Sequence, residues 1–392
     1  MNALKRLFGE GFRVFFLAAG LYAVFVLAGW LGWLSGRVDL AVAMPPQHWH
    51  GHELIFGYAT AALGGFFLTA VPNWTGAKAA RHAFIAIAAG VWLSGRLAMW
   101  WSGTLPAGVV ALADLAFLPI LGAKIATQLI KRPKPQNMMF LVLLAIIWGA
   151  DLTVHLEWMG LAENTATAGL RAGLYGLCAM IAVLGGRVTP AFTRNAMLRA
   201  GQEAGLPVSH KILDLPGVAL AIALPVLVLL RAPDTVVGVV ALLAGLAQIA
   251  RVAGWRPGFA MHQPILWALH LSFFTLGLGL VLTGLARLGV GSEIAALHLL
   301  AIGGVAGMTL AVMTRAALGH SGRPLVAPRM VAISYILLPL AAGLRWLASA
   351  FPAAWYGPGT FAAGGLWMLA FVLYLAALWP AFWGPKQSGK GQ

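Results

Sequence analysis

The chain has a single cysteine, Cys178, in 392 residues, which excludes an intrachain disulfide and any thiolate cluster; inside an apolar run it reads as small core filler. No Cys-x-x-Cys-His occurs, so covalent c-type haem attachment is also excluded. Charge is scarce: Asp, Glu, Lys and Arg make up 9% of the chain, with 11 carboxylates against 26 Lys and Arg. There is no strand followed by a glycine-rich phosphate loop, no His-Glu-x-x-His, no Ser/His/Asp arrangement on loops and no basic run interleaved with aromatics. These absences argue against nucleotide-binding, zinc-protease, serine-hydrolase and nucleic-acid functions.

What fills the space is apolar. Hydrophobic residues make up 60% of the chain and the mean hydropathy is +0.85, so the solvent for this fold is lipid. At about 20 apolar residues per crossing, roughly twelve spans are expected. They fall at 14–34, 54–72, 82–101, 105–130, 138–158, 166–188, 212–230, 235–252, 264–286, 293–314, 328–349 and 359–382. Backbone groups in lipid must bond internally, so the expected fold is all-α: one polytopic transmembrane helical bundle over 1–392. The first apolar run is too long for a cleaved signal and reads as a retained span. The 48 glycines are spread through the spans, where small residues let helices approach closely.

The formal net charge of +15 is a topology signal. Lys5, Arg6, Arg13, Lys78, Arg81, Lys131, Arg132, Lys134, Arg187, Arg194, Arg199, Lys211, Arg251, Arg256, Arg315, Arg323, Arg329, Lys386 and Lys390 fall at alternate loops or termini. The opposite loops hold Arg37, Arg231 and Arg287. The positive-inside asymmetry therefore places both termini in the cytoplasm, with no nucleic-acid partner.

Ionisable groups inside spans are costly, so each asks for a reason. His48-Trp49-His50-Gly51-His52-Glu53 lies at the outer mouth of span two. Arg96, Asp151, His155, Arg171, His298 and Arg345 converge on the outer third of the bilayer, and Asp114 sits near mid-depth of span four. A shared depth points to a functional cavity that opens outward. His48 and His52 can ligate together only if the helix starts by residue 48; His50 and His52 share a side only on extended backbone, which Pro45-Pro46 favours. The expected ligands are His50 and His52, with His48 an interfacial group. Asp151 and His155, four apart, share a helix face: an orienting carboxylate on a ligand, or a plain Asp–His pair. Arg96, Arg171 and Arg345 are forks suited to carboxylates, either haem propionates or Asp151. His270 becomes an axial-ligand candidate only if a macrocycle reaches it.

Spans two, six and ten leave the membrane through polar exits: Asn73 and Trp74, then Arg187, Arg194 and Asn195, then Arg315, His320 and Arg323. These either cap helices and hold loops or line the way in for a small anion or proton. Their spacing of four spans hints at a repeat.

The same stretches resemble the NnrS family of bacterial membrane proteins. The resemblance is carried by Gly11-Phe12-Arg13, Trp49-His50-Gly51-His52-Glu53 through Tyr58, and Phe67 through Val71-Pro72-Asn73-Trp74-Thr75-Gly76. Gly185-Gly186-Arg187 through Asn195, Leu266 through His270, and Met313-Thr314-Arg315 through Pro324 extend it in order along the chain. It implies a multi-pass protein of the bacterial inner membrane that holds non-covalent b-type haem and copper and is tied to nitric oxide metabolism and relief of nitrosative stress. Imidazole suits both metals, and His50, His52, His155, His270 and His298 are the expected ligand supply. Glu53, Arg96, Asp151, Arg171 and Arg345 are the expected supporting groups. An ordinary haem–copper oxidase subunit is excluded, since spans six and seven contain no histidine. The expected activity is binding or reduction of nitric oxide or a related nitrogen species, with electrons from quinol or another donor because no flavin or cytochrome c motif is present. The alternatives are a twelve-helix transporter of a metal complex or small nitrogen compound, and a sensor or assembly factor.

Overall fold

The computed structural model describes residues 3–387; Lys390, one of the basic residues that set the topology expectation, lies outside them. No strand occurs among the described residues, and twelve helices are long and apolar enough to cross a membrane. They are α1 (Gly11–Leu34), α2 (Pro46–Thr75), α3 (Ala83–Trp100), α4 (Ala107–Leu129), α5 (Pro135–Trp158), α6 (Ala166–Arg199), α7 (Lys211–Leu229), α8 (Asp234–Ala253), α9 (Pro264–Arg287), α10 (Glu293–His320), α11 (Arg329–Ala350) and α12 (Pro352–Trp383). The protein is an all-α polytopic membrane protein. Its chain gathers into two compact units, one of residues up to 173 with 313–324 and the chain from 374, the other of 174–312 with 325–373.

The helix bounds differ from the sequence expectation chiefly at polar ends. Helix α2 begins at Pro46 rather than 54, because Pro46 occupies the first helical position, where a missing N–H costs nothing. Helices α6 and α10 run on through their polar exits to Arg199 and His320, so those motifs are helical. Gly76, at φ +68°, takes the left-handed conformation that ends α2.

Two departures from regular helix shape the first unit. Residues Glu53–Tyr58 of α2 are π-helical, a wider turn that leaves carbonyls without their usual partners. Gly57 O in this turn accepts from the Trp92 indole of α3 at 3.0 Å and from the Thr60 hydroxyl at 3.2 Å. Helix α4 breaks at Ala116, between Ala107–Leu115 and Phe117–Leu129. Pro119 has no N–H to offer Leu115 O, and the Trp148 indole of α5 donates to that carbonyl instead, at 3.0 Å.

The sequence motifs at the polar ends of this unit prove to be a helix cap. The last four carbonyls of a helix lack intrahelical donors. At the end of α12, Arg323 Nη2 donates to Pro380 O (2.6 Å), Arg13 Nη1 to Ala381 O (2.8 Å) and Phe382 O (3.0 Å), and Arg6 Nε to Trp383 O (2.8 Å). Arg13 also reaches Gly384 O at 2.9 Å and is itself held by Glu10 at 2.8 Å. The His320 ring lies 5.9 Å from that of Phe12. Of the exit residues, Arg323 bonds the end of α12, and His320 packs on Phe12.

In the second unit, Gly238 and Gly245 of α8 face Gly284 and Gly277 of α9, with no room for a Cβ at either crossing. Buried Arg251 ties α8 to its neighbours: Nε pairs with Asp214 at 2.5 Å, and Nη1 donates to Ala182 O (2.9 Å) and Gln248 Oε1 (2.6 Å). Its guanidinium lies 5.5 Å from the Trp255 ring centre and 5.4 Å from that of Phe273.

The cap yields a test. Arg13→Ala strips donors from three buried or half-buried carbonyls and is expected to destabilise the protein by about 3 kcal/mol. In thermal unfolding of detergent-solubilised protein it lowers the midpoint more than Arg6→Ala does. Equal midpoints for Arg13→Ala and the parent would remove the cap from the account.

Candidate metal centre

The first unit brings two imidazoles, three carboxylates and one guanidinium from four helices to one buried spot. Helix α2 supplies His52 as the last residue before its π-helical turn, and Glu53 as the first residue within it. Helix α3 supplies Arg96, one turn beyond Trp92. Because Trp92 is pinned to Gly57 O, Arg96 is delivered to the same turn of α2. Helix α4 supplies Asp114 from the last turn before its break, and α5 supplies Asp151 and His155. Glycines set the approach: a Cβ on Gly95 would meet the Asp114 backbone, and one on Gly57 would meet Arg96 and Tyr22.

His52 and Glu53 are fully buried, and Asp114, Asp151, Arg96 and His155 are at most 5% exposed. His52 Nε2 lies 3.0 Å from Asp114 Oδ2 and 2.9 Å from Asp151 Oδ1. His155 Nε2 lies 2.8 Å from Asp114 Oδ2 and 3.8 Å from Asp151 Oδ1. These four atoms all fall within 4.8 Å of one another. A four-coordinate metal with bonds of about 2.0–2.1 Å has ligand–ligand edges of about 3.3 Å, within the observed spread.

The surrounding bonds fix the proton on His52. Glu53 Oε1 accepts from Arg96 Nη1 at 2.5 Å and faces His52 Nδ1 at 2.9 Å. When Glu53 is ionised against Arg96 its carboxylate can only accept, and Nδ1 then carries the hydrogen and donates it. On a neutral ring Nε2 is then a lone pair, aimed at two carboxylate oxygens. That contact is repulsive unless the ring is an imidazolium, one of the facing carboxyls carries a proton, or a cation lies among the four atoms. Arg96 Nη2 also pairs with Asp114 Oδ1. Tyr22 donates to Glu53 Oε2, and the Trp100 indole donates to the Tyr22 hydroxyl at 3.0 Å. Trp158 walls the site, its ring 5.2 Å from His52 and 5.3 Å from His155.

The structure sorts the sequence candidates. His52, Glu53, Arg96, Asp151 and His155 come together. His50 does not join them: α2 is already helical there, so residues two apart point about 200° from each other, and the His50 ring lies flat on Trp30, centroids 4.5 Å apart. His48, which shares the helix with His52, instead approaches Thr167 at 3.4 Å. Arg171 lies half-buried in the second turn of α6, outside the four-ligand set. Asn73 donates to Thr69 O within its own helix, and Trp74 stacks on Phe140. Arg187 is half-buried, Arg194 and Asn195 are exposed, and Arg315 is buried.

In the second unit, both His270 nitrogens face backbone carbonyls, Leu266 O at 3.1 Å and Trp255 O at 3.2 Å. His298 directs Nδ1 at Ile294 O, 2.7 Å away, and stands directly before a second π-helical turn, Leu299–Ala306. Buried Arg345 donates to Ser349 and lies 5.8 Å from the Tyr356 ring.

Asp114 and Tyr22 are what sequence reasoning missed. Asp114 carried a signal, a carboxylate inside an apolar span; its reach to both histidines depends on the break after Leu115. Tyr22 carried none, since one tyrosine in an apolar helix is ordinary.

Fold and site together define a multi-pass membrane protein with a buried histidine–carboxylate centre of metal-binding type. The chain belongs to the NnrS family: the family model described as NnrS protein matches residues 6–386. A comparison with curated proteins finds no match.

Arg96 is the cation that lets Glu53 and Asp114 stay buried. Removing one partner of such a network typically costs about 3–5 kcal/mol, so Arg96→Ala is expected to unfold at markedly lower temperature. Combining it with Asp114→Ala should cost less than the sum of the two single changes. Strict additivity in that double-mutant cycle would mean the pair is not coupled.

Proposed function

We propose that this protein is a metal-dependent handler of nitric oxide in the bacterial inner membrane, with its metal held by His52, Asp114, Asp151 and His155. The observation that carries the reading is His52 Nε2 set between two carboxylate oxygens in a buried cluster that His155 Nε2 also enters. Three carboxylates against one guanidinium give Glu53, Asp114, Asp151 and Arg96 a formal charge of minus two when both imidazoles are neutral. A single imidazolium removes half of that charge, whereas a divalent ion removes all of it and turns the repulsive contacts into bonds.

The residues fit the two groups that the family resemblance implies. For copper, two imidazole nitrogens and two carboxylate oxygens form an accepted set. Glu53 acts one step out, holding the His52 tautomer in the carboxylate–histidine–metal pattern. For haem, His298 is the better axial candidate: its Nδ1–H bonds Ile294 O, which leaves Nε2 as the lone pair. Arg345, a buried guanidinium with no carboxylate partner among the described residues, suits a propionate. His270 is less suited, with both nitrogens turned to carbonyls.

When bound, these metals would supply Lewis-acid or redox chemistry toward a small nitrogen oxide. The protein's own part is to exclude water: Trp158, Phe56 and the packed faces of α2 to α5 surround the cluster. Electrons for any reduction come from quinol or another donor outside the chain. A second reading, a transporter of a metal complex or small nitrogen compound, is favoured by the division of twelve spans into two compact units.

The test separates neighbours in sequence. His52→Ala and Asp114→Ala are expected to lose the copper measured by elemental analysis of purified protein, together with protection of cells against nitric oxide. His50→Ala keeps both. Haem, read from reduced-minus-oxidised spectra, is lost in His298→Ala and retained in His270→Ala. Full copper in His52→Ala would sink the assignment, and uptake of labelled substrate by proteoliposomes would favour the transporter.

A further inference from the structure

We infer that the His52–Asp114–Asp151–His155 centre is a divalent-ion site that takes copper as Cu(II) and rejects Cu(I). This inference rests on the metal reading above and narrows it to an ion class and an oxidation state.

Two independent features lead there. The first is donor softness. Cuprous copper prefers thiolate and thioether ligands, while carboxylates suit harder ions and imidazole suits either. Half of this donor set is carboxylate. The chain's one thiol, Cys178, belongs to the second unit and is not part of the set.

The second is charge. Burial at 5% exposure or less leaves the cluster little water to screen it. With Glu53, Asp114 and Asp151 all ionised beside Arg96, a divalent ion brings its formal charge to zero. A monovalent ion leaves an uncompensated negative charge among α2, α3, α4 and α5. Arg96 cannot supply the difference, because it is already shared between Glu53 and Asp114.

Asp114 is the specificity-determining ligand. Its Oδ2 sits between the two imidazoles, at 3.0 and 2.8 Å, and its Oδ1 is fixed by Arg96. The Arg96 pairing thus holds the carboxyl turned into the centre, with Oδ2 presented to both imidazoles. A site that favours the divalent state is a poor one-electron acceptor. Its metal therefore polarises or holds a ligand rather than cycling between oxidation states.

The test uses the full-length protein in detergent, stripped by chelator and dialysed to equilibrium against buffered Cu(II), Zn(II) or, anaerobically with reductant, Cu(I). The expected result is one equivalent of Cu(II) or Zn(II), with Cu(I) held at least about tenfold more weakly than Cu(II). The Cu(II) electron-paramagnetic spectrum should show coupling to two nitrogens, reduced to one in His155→Ala. Asp151→Met should shift the preference toward Cu(I) by about tenfold or more. Cu(I) bound as tightly as Cu(II) by the unmodified protein overturns the inference and leaves the metal reading standing. Failure to retain any of the three ions overturns both.

Discussion

Lipid offers a carboxylate neither water nor counter-ion, and the first unit places Glu53, Asp114 and Asp151 where neither can arrive easily. Arg96 makes this arrangement possible. Its guanidinium spans Glu53 on α2 and Asp114 on α4, so one cation pins two carboxylates from different helices. Each pinned carboxylate then constrains a histidine: Glu53 fixes the proton on His52, and Asp114 presents Oδ2 to His52 and His155 together. Without that fork the cluster is a set of like charges with no reason to meet.

Two departures from ideal helix lie beside these groups, and an indole bonds a carbonyl at each. Gly57 O, in the π-helical turn after His52, accepts from Trp92, which aligns α3 so that Arg96 follows one turn later. The break in α4 frees Leu115 O beside Asp114, and Trp148 of α5 takes it one turn before Asp151. These two indole hydrogen bonds to the backbone thus set the register of the site. Such irregularities survive in lipid only when the orphaned groups find partners.

A π-helical turn also follows His298 in the second unit, where no carboxylate is paired with His298 or Arg345 among the described residues. There the buried cation Arg345 has Ser349 and Tyr356 for company, and His298 keeps one nitrogen on its own helix. The two units therefore offer different chemistry from similar local backbone, anionic in the first and cationic in the second. Elsewhere buried charge is structural. Arg251 holds four segments of the second unit, and Arg13, Arg6 and Arg323 close the end of α12.

The sequence by itself determined that this is a membrane protein of about twelve helices, because hydropathy and span length are local properties of the chain. It also marked His52, Glu53, Arg96, Asp151 and His155 as costly groups that need a reason, and its motifs carried the resemblance to the family. What it left open needed three dimensions. Whether His50 or His48 accompanies His52 depends on where α2 begins, and Pro46 reads equally as extended chain or as a first helical residue. Asp114 enters the site only through a break whose effect depends on how α4 meets α3 and α5. The partner of a buried charge is chosen by packing between segments distant in the chain, so spacing within one span, however regular, cannot name it.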